Sequence, residues 1–141
     1  MGKRDFFTKI LAWVGTLGIS SVLLLPVVFA VTRYFQSGHF NFDWLLPMEL
    51  APLVLVCGLL LFWAALRAKS HSRPIAWGML IAIVMFIASM AYAVWSGLAS
   101  GETEAAGTPW MIATAIIILS EFGMLITAVS GFSLLKALRK K

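Results

Sequence analysis

Long uninterrupted runs of apolar residues, bounded by charged or turn-forming residues, dominate the chain. The runs cover residues 10–32, 47–66, 75–98 and 109–135. A helix rises about 1.5 Å per residue, so each run is long enough to cross roughly 30 Å of hydrocarbon. None shows the polar and apolar alternation of a transmembrane strand. The pattern therefore predicts an all-α integral membrane protein, a four-helix transmembrane bundle.

The composition supports this interpretation. Of the 141 residues, 61% are hydrophobic and only 12% are charged, and the mean hydropathy is +0.94. So few charges cannot solvate a globule of this size, which excludes a soluble domain. The longest connection between the runs has only about fifteen residues, too few for a separate aqueous catalytic or nucleic-acid-binding domain. We therefore predict a single transmembrane domain over residues 1–141.

The basic residues are distributed asymmetrically along the predicted topology. Ten of the eleven lie at the N-terminus, in the second loop or at the C-terminus, and only Arg33 lies on the other side. Because positive charge is retained on the cytoplasmic side during insertion, we predict a multi-pass protein of the cell membrane with both termini in the cytoplasm. The basic ends are expected beside anionic lipid headgroups. No aromatic-rich basic surface indicates a nucleic-acid partner.

Enzyme signatures are missing from the sequence. It contains no nucleophile elbow, zinc-binding histidine pair, phosphate-binding loop or dinucleotide fingerprint. His39 and His71 fall on opposite sides of the predicted bundle, which does not support a haem clamped between them. Cys57 has no second cysteine to pair with, so neither a disulfide nor a cysteine metal site is indicated. We predict a protein that is not an enzyme and that holds no cofactor and no metal.

Glu121 is the one ionisable residue deep inside an apolar run. At the usual helical rise it lies about 16 Å from Trp110 and about 22 Å from Lys136, near the middle of the bilayer. A carboxylate there costs at least about 2.5 kcal/mol, and such residues normally face the bundle or a wet cavity. Two interpretations follow: a proton or cation site, or a neutral carboxyl group that hydrogen-bonds to a neighbouring helix.

A second group of polar and aromatic residues is predicted at the outer side of the bundle. Glu49 follows Pro47 in the first turn of the second predicted helix, where an acid is favoured by the exposed N–H groups and the helix dipole. The alternative is a binding role. Glu49 would then line an outward-facing pocket for a cation or an amine, together with Asp43, Glu102, Glu104, Trp44, Tyr92 and Trp95. Glu121 is assigned to the same candidate ligand or ion site.

Two stripes of small residues recur at four-residue spacing, which indicates close helix packing. The third predicted helix carries Ser89, Ala93, Gly97 and Gly101, and the fourth carries Gly123, Thr127 and Gly131. Because the first stripe lies in the outer half of the membrane and the second in the inner half, the two are not expected to meet. We expect the fourth-helix stripe to meet Gly15 and Gly18, and the third-helix stripe to meet Ala51 and Gly58 or a second protein.

Two functions are compatible with these features. The minimal loops, the unpaired third-helix stripe and the missing catalytic motifs favour a non-catalytic accessory or assembly subunit that packs against another membrane protein. The alternative is a small proton- or cation-coupled transporter or channel that acts as a homo-oligomer, with Glu121 as the coupling carboxylate. The expected partners are the lipid bilayer and either another membrane protein or a second copy of the chain.

Overall fold

The computed structural model describes residues 3–38, 50–104 and 106–140, and its regular secondary structure there is helical. The four α-helices are α1 Lys3–Ser37, α2 Ala51–Ala68, α3 Ser72–Trp95 and α4 Gly107–Arg139. Each is long and apolar enough to cross a membrane. The prediction of four apolar helices that form a bundle is thus confirmed.

The helix boundaries differ from the apolar runs. Helices α1 and α4 continue into polar residues at both ends, because backbone hydrogen bonds continue a helix beyond the residues that lipid requires. Helix α3 is shorter at its end than predicted. It stops at Trp95, Ser96 is its C-cap, and Gly97 has a φ of +77°. Glycine adopts this left-handed backbone without steric cost, so Gly97 ends the helix instead of continuing its stripe.

The four helices form a ring in chain order, with each helix antiparallel to the next. The closest interfaces are α1–α2 and α3–α4, α1–α4 joins these two hairpins, and α2–α3 is the sparsest interface of the ring. We call the end formed by the starts of α1 and α3 and the ends of α2 and α4 the terminal end. Most fully buried apolar side chains lie in the half of the bundle nearest to it, including Ala12, Leu61, Ile75 and Leu134.

Glycine allows α1 and α2 to approach closely. A Cβ atom on Gly15 would lie 2.8 Å from both the Cys57 carbonyl oxygen and the Leu61 Cβ, and one on Gly18 would meet the Cys57 side chain. In the structure, Gly15 and Gly18 therefore do not pack against the fourth helix as expected. They form the α1–α2 interface instead.

The fourth-helix stripe is divided between two neighbouring helices. Gly123 and Thr127 pack against Gly78 of α3, whereas a Cβ on Gly131 would lie 2.5 Å from Thr16 Oγ1 of α1. Positions four residues apart turn by about 40° around a helix, so the stripe turns by about 80° over its length. Its two ends therefore face different helices.

The third-helix stripe does not form a free surface. Ser89 is 2% exposed and thus buried within the chain, and Ala93 is half-buried. Gly97 and Gly101 both lie beyond the end of α3 with positive φ angles. Gly58, an expected partner, lies against the Met79 side chain instead. The predicted partner surface is therefore not continuous: its first two residues lie in α3 and pack within the bundle, and its last two lie in the turn after α3.

Candidate polar site in the bundle

Glu121 lies at the edge of the α1–α4 interface. Around α4 it is turned by about 80° from Gly131, which faces α1, and by about 160° from Gly123, which faces α3. The residue is half-buried. Its Oε1 atom is fully buried and has no hydrogen-bond partner among the residues that the structure describes. The rest of the side chain is partly exposed, so a group from outside the chain can reach the side chain but not the buried Oε1 in this conformation.

A buried carboxyl oxygen without a partner is energetically unfavourable. Desolvating a polar group without a compensating hydrogen bond costs about 1–3 kcal/mol in proteins, and a charged carboxylate in hydrocarbon costs more. A neutral carboxyl group would donate one hydrogen bond and accept others, whereas an ionised one would bind a cation. The geometry therefore allows either a polar contact with another helix or an exchangeable proton or cation.

A second polar atom without a partner lies at the same interface. Thr16 is 0% exposed, and its Oγ1 has no hydrogen-bond partner within the described part of the chain. It packs against Gly131, which is ten positions from Glu121, or about 15 Å along α4. Threonine is common in apolar helices, so the sequence alone does not mark Thr16 as a polar site. Its position becomes evident only from the way in which α1 packs against α4.

The residue next to Glu121, Ser120, has a hydrogen-bond partner for its hydroxyl group. Ser120 is buried, and its hydroxyl donates a 2.9 Å hydrogen bond to the Ala82 carbonyl oxygen of α3. This bond connects two helices, whereas the hydroxyl groups of Ser20, Thr127 and Ser133 donate to the preceding turn of their own helix. Ser120 was not predicted as a packing residue, although serine is among the residues that commonly link membrane helices.

We expect Ser120→Ala to weaken the α3–α4 interface slightly. Interhelical hydrogen bonds in membrane proteins contribute about 0.6 kcal/mol on average and about 1.7 kcal/mol at most. The free energy of unfolding should fall by an amount in this range, measured by denaturation in mixed detergent micelles. Ser133→Ala is the matched control, because the Ser133 hydroxyl bonds only to Val129 of its own helix. Equal losses in both variants would contradict the assignment.

The predicted outward-facing pocket is not assembled around Glu121. Tyr92 and Trp95 lie beside each other, with ring centroids 6.0 Å apart, and Trp95 is 83% exposed. The α3–α4 register, in which Ser120 lies opposite Ala82, places Glu121 about 15 Å along the bundle from Tyr92, on a face of α4 turned away from α3. The structure therefore does not bring Glu121 together with these aromatic residues. Asp43, Trp44 and Glu49 lie outside the described residues.

A cavity of about 200 Å³ lies between α2, α3 and α4. It does not include Glu121. Apolar side chains dominate its lining, and the hydroxyl of Ser120 is already bonded to Ala82. The lining residues are Ala51, Val54, Leu55, Ala82, Ile83, Phe86, Ile87, Ser120 and Met124. This chemistry suits a hydrocarbon group and not an ion.

Metal-binding side chains do not cluster in the described part of the chain. No group of three or more histidine, cysteine, aspartate or glutamate residues there is arranged to hold a metal ion. Cys57 is buried at the α1–α2 interface, beside Gly18. Glu121 therefore remains the candidate site on geometric grounds.

Comparison with known proteins gives no relative. No protein-family model, curated protein or solved structure matches the chain.

Proposed function

We propose that the chain is a non-catalytic accessory or assembly subunit of the cell membrane, which packs against another membrane protein through the α1–α4 edge. The observation that supports this proposal is the buried Glu121 Oε1 without a partner at that edge. In hydrocarbon, a polar group of this kind is stabilised by a hydrogen bond from a neighbouring helix. Rotation of the half-buried side chain would bring this oxygen to the surface of the bundle, where a helix of the partner would supply the bond that this chain does not.

The surroundings of Glu121 suit a helix of a second protein. Ile118 and Leu125, three residues before and four residues after it, lie near the same face of α4, and both are exposed. In each of the four helices, at most 33% of the most apolar 18-residue segment is buried within the chain. An apolar surface with one polar group at its centre would give a partner both packing contact and a specific orientation.

The composition of the native particle tests this proposal. The protein would be extracted from its own membranes in a mild detergent or a native nanodisc, and its mass and subunits would be determined. We expect a second, larger membrane protein at fixed stoichiometry, which is lost when Glu121 is replaced by leucine. A monomer, or a partner whose retention does not depend on Glu121, would contradict the proposal.

A second candidate function is a proton- or cation-coupled transporter or channel formed by several copies. It is supported by the occurrence of two buried polar atoms without partners, Glu121 Oε1 and Thr16 Oγ1, along one helix interface. In this case Glu121→Gln, which keeps the hydrogen-bonding capacity and removes the titration, should abolish coupled flux in proteoliposomes. Unchanged flux in that variant would exclude Glu121 as the coupling group.

The proposed topology has both termini in the cytoplasm. In a Cys57→Ala background, Ser100→Cys places a thiol on an exposed turn after α3, and Lys140→Cys places one after α4. We expect a membrane-impermeant maleimide to label Ser100→Cys in intact cells and Lys140→Cys only after permeabilisation, because the basic end is retained inside. The reverse labelling pattern would show the opposite orientation.

A further inference from the structure

The end of α2 carries a charged side chain that stacks on an aromatic ring and has a buried atom without a partner. Arg67 lies in the last turn of α2. Its guanidinium carbon is 5.4 Å from the ring centroid of Phe7 in α1. Its Nε is buried, and no hydrogen-bond partner for it exists among residues 3–38, 50–104 and 106–140. The cation is therefore held against the face of an aromatic ring while one of its donors remains unused.

The charge around Arg67 favours an anion. Of the acidic residues that the structure describes, one lies at the terminal end: Asp5, which is exposed in the first turn of α1. The basic residues described at the same end are Lys9, Arg67, Lys69, Arg73, Lys136, Arg139 and Lys140. Such an excess of positive charge beside a membrane attracts anionic groups. Among these residues, Arg67 differs in that its guanidinium group stacks on an aromatic ring and its Nε is buried.

We propose that Arg67 and Phe7 bind the phosphate group of an anionic membrane lipid. The proposal rests on the placement of the helices in a bilayer, which the cysteine labelling tests separately. The planar guanidinium group donates parallel hydrogen bonds that match phosphate oxygens, and stacking on Phe7 fixes its orientation before the ligand arrives. The ligand would bind the Nη groups of Arg67, because this chain covers the buried Nε.

The adjoining surface indicates a lipid as the source of the phosphate. Phe7 is 46% exposed, and Phe6 beside it is also exposed. A free phosphate ion gains nothing from exposed aromatic rings, whereas a phospholipid also contacts them with its acyl chains. Because Arg67 lies at the end of a membrane-spanning helix, its guanidinium group is near the level of the headgroups.

Lipid binding to the purified, delipidated protein tests the proposal. Phosphatidylglycerol, phosphatidylcholine and inorganic phosphate would each be titrated into the full chain in detergent, and binding would be followed by native mass spectrometry and by thermal stability. We expect Arg67→Gln to weaken phosphatidylglycerol binding about tenfold. The control Arg73→Gln, an exposed arginine at the same end, should weaken it by about fivefold or less, the contribution of one cation near an anionic surface.

Two further variants guard against a simple folding defect. Arg67→Lys keeps the charge but not the planar group, so we expect binding between those of the wild type and Arg67→Gln. Phe7→Leu keeps an apolar side chain and removes the stacking, and it should also weaken binding, with the unfolding temperature in phosphatidylcholine unchanged. Equal losses in Arg67→Gln and Arg73→Gln would overturn the proposal in favour of diffuse attraction. Equal stabilisation by inorganic phosphate, or no preference for phosphatidylglycerol, would overturn the assignment to an anionic lipid.

Discussion

Replacing Gly123 with alanine is expected to separate α3 from α4. The new Cβ atom would lie 2.6 Å from the Ala82 backbone nitrogen and 2.8 Å from the Gly78 carbonyl oxygen. Backbone atoms cannot move away by a change of rotamer, so the two helices must shift apart along their closest interface. Overpacking of this kind typically costs about 1–3 kcal/mol and occasionally more. The gain in helix propensity of about 1 kcal/mol offsets part of it.

The measurement is the free energy of unfolding in mixed detergent micelles, and we expect a net loss of about 1 kcal/mol, the overpacking cost less the gain in helix propensity. Gly58→Ala is the matched control, because it makes the same chemical change inside a helix and gains the same propensity. Its new Cβ would meet only the flexible Met79 side chain, with the sulfur at 2.6 Å. Methionine repacks easily, so this variant should be near neutral. Equal losses in both variants would show that α3 and α4 are not in backbone contact at Gly123.

The sequence predicts the helices well because a helix that spans a membrane needs an apolar run within its own sequence, independent of its neighbours. An uninterrupted apolar run is the signature of a spanning helix whatever its neighbours are. The same reasoning fails at Gly97, since a glycine at four-residue spacing fits both a packing stripe and a helix terminus. The positive φ that distinguishes these two roles depends on the turn that follows.

The helix pairing could not be predicted from the sequence. The stripe of Gly123, Thr127 and Gly131 indicates that close packing occurs, but the spacing does not name the partner helix. The true partners on α3, Gly78 and Ala82, also lie four residues apart and could have been found by the same criterion. They lie in the half of α3 nearest the terminal end, outside the predicted third-helix stripe.

Glu121 stands out in the sequence because a charged residue in an apolar run is rare and costly. Its surroundings were less predictable. Whether Glu121 meets Tyr92 and Trp95 in one site depends on how α3 packs against α4, and the α3–α4 register separates them. Thr16 could not be identified at all, because its importance lies in a missing hydrogen bond, which depends on three-dimensional contacts.

Replacing Glu121 with leucine is expected to have opposite effects on the isolated chain and on its assembly. Leucine removes a buried oxygen without a partner, so the isolated chain should gain about 1–3 kcal/mol in free energy of unfolding. Association with the partner should weaken about tenfold, since one interhelical hydrogen bond contributes about 1–2 kcal/mol. Glu121→Gln is the matched control, because it retains the hydrogen-bonding capacity and should keep the partner bound.

Unfolding in micelles and partner retention in the native extract would measure the two effects on the same variants. Glu121 would have a different role if leucine destabilised the isolated chain, because the carboxyl group would then hold two helices of this chain together. Retention of the partner by Glu121→Leu, with the chain stabilised, would place the interface on another face of the bundle. A stabilised chain that loses its partner is the result that only an intermolecular role for Glu121 explains, since a group that served the fold of this chain could not be removed with a gain in stability.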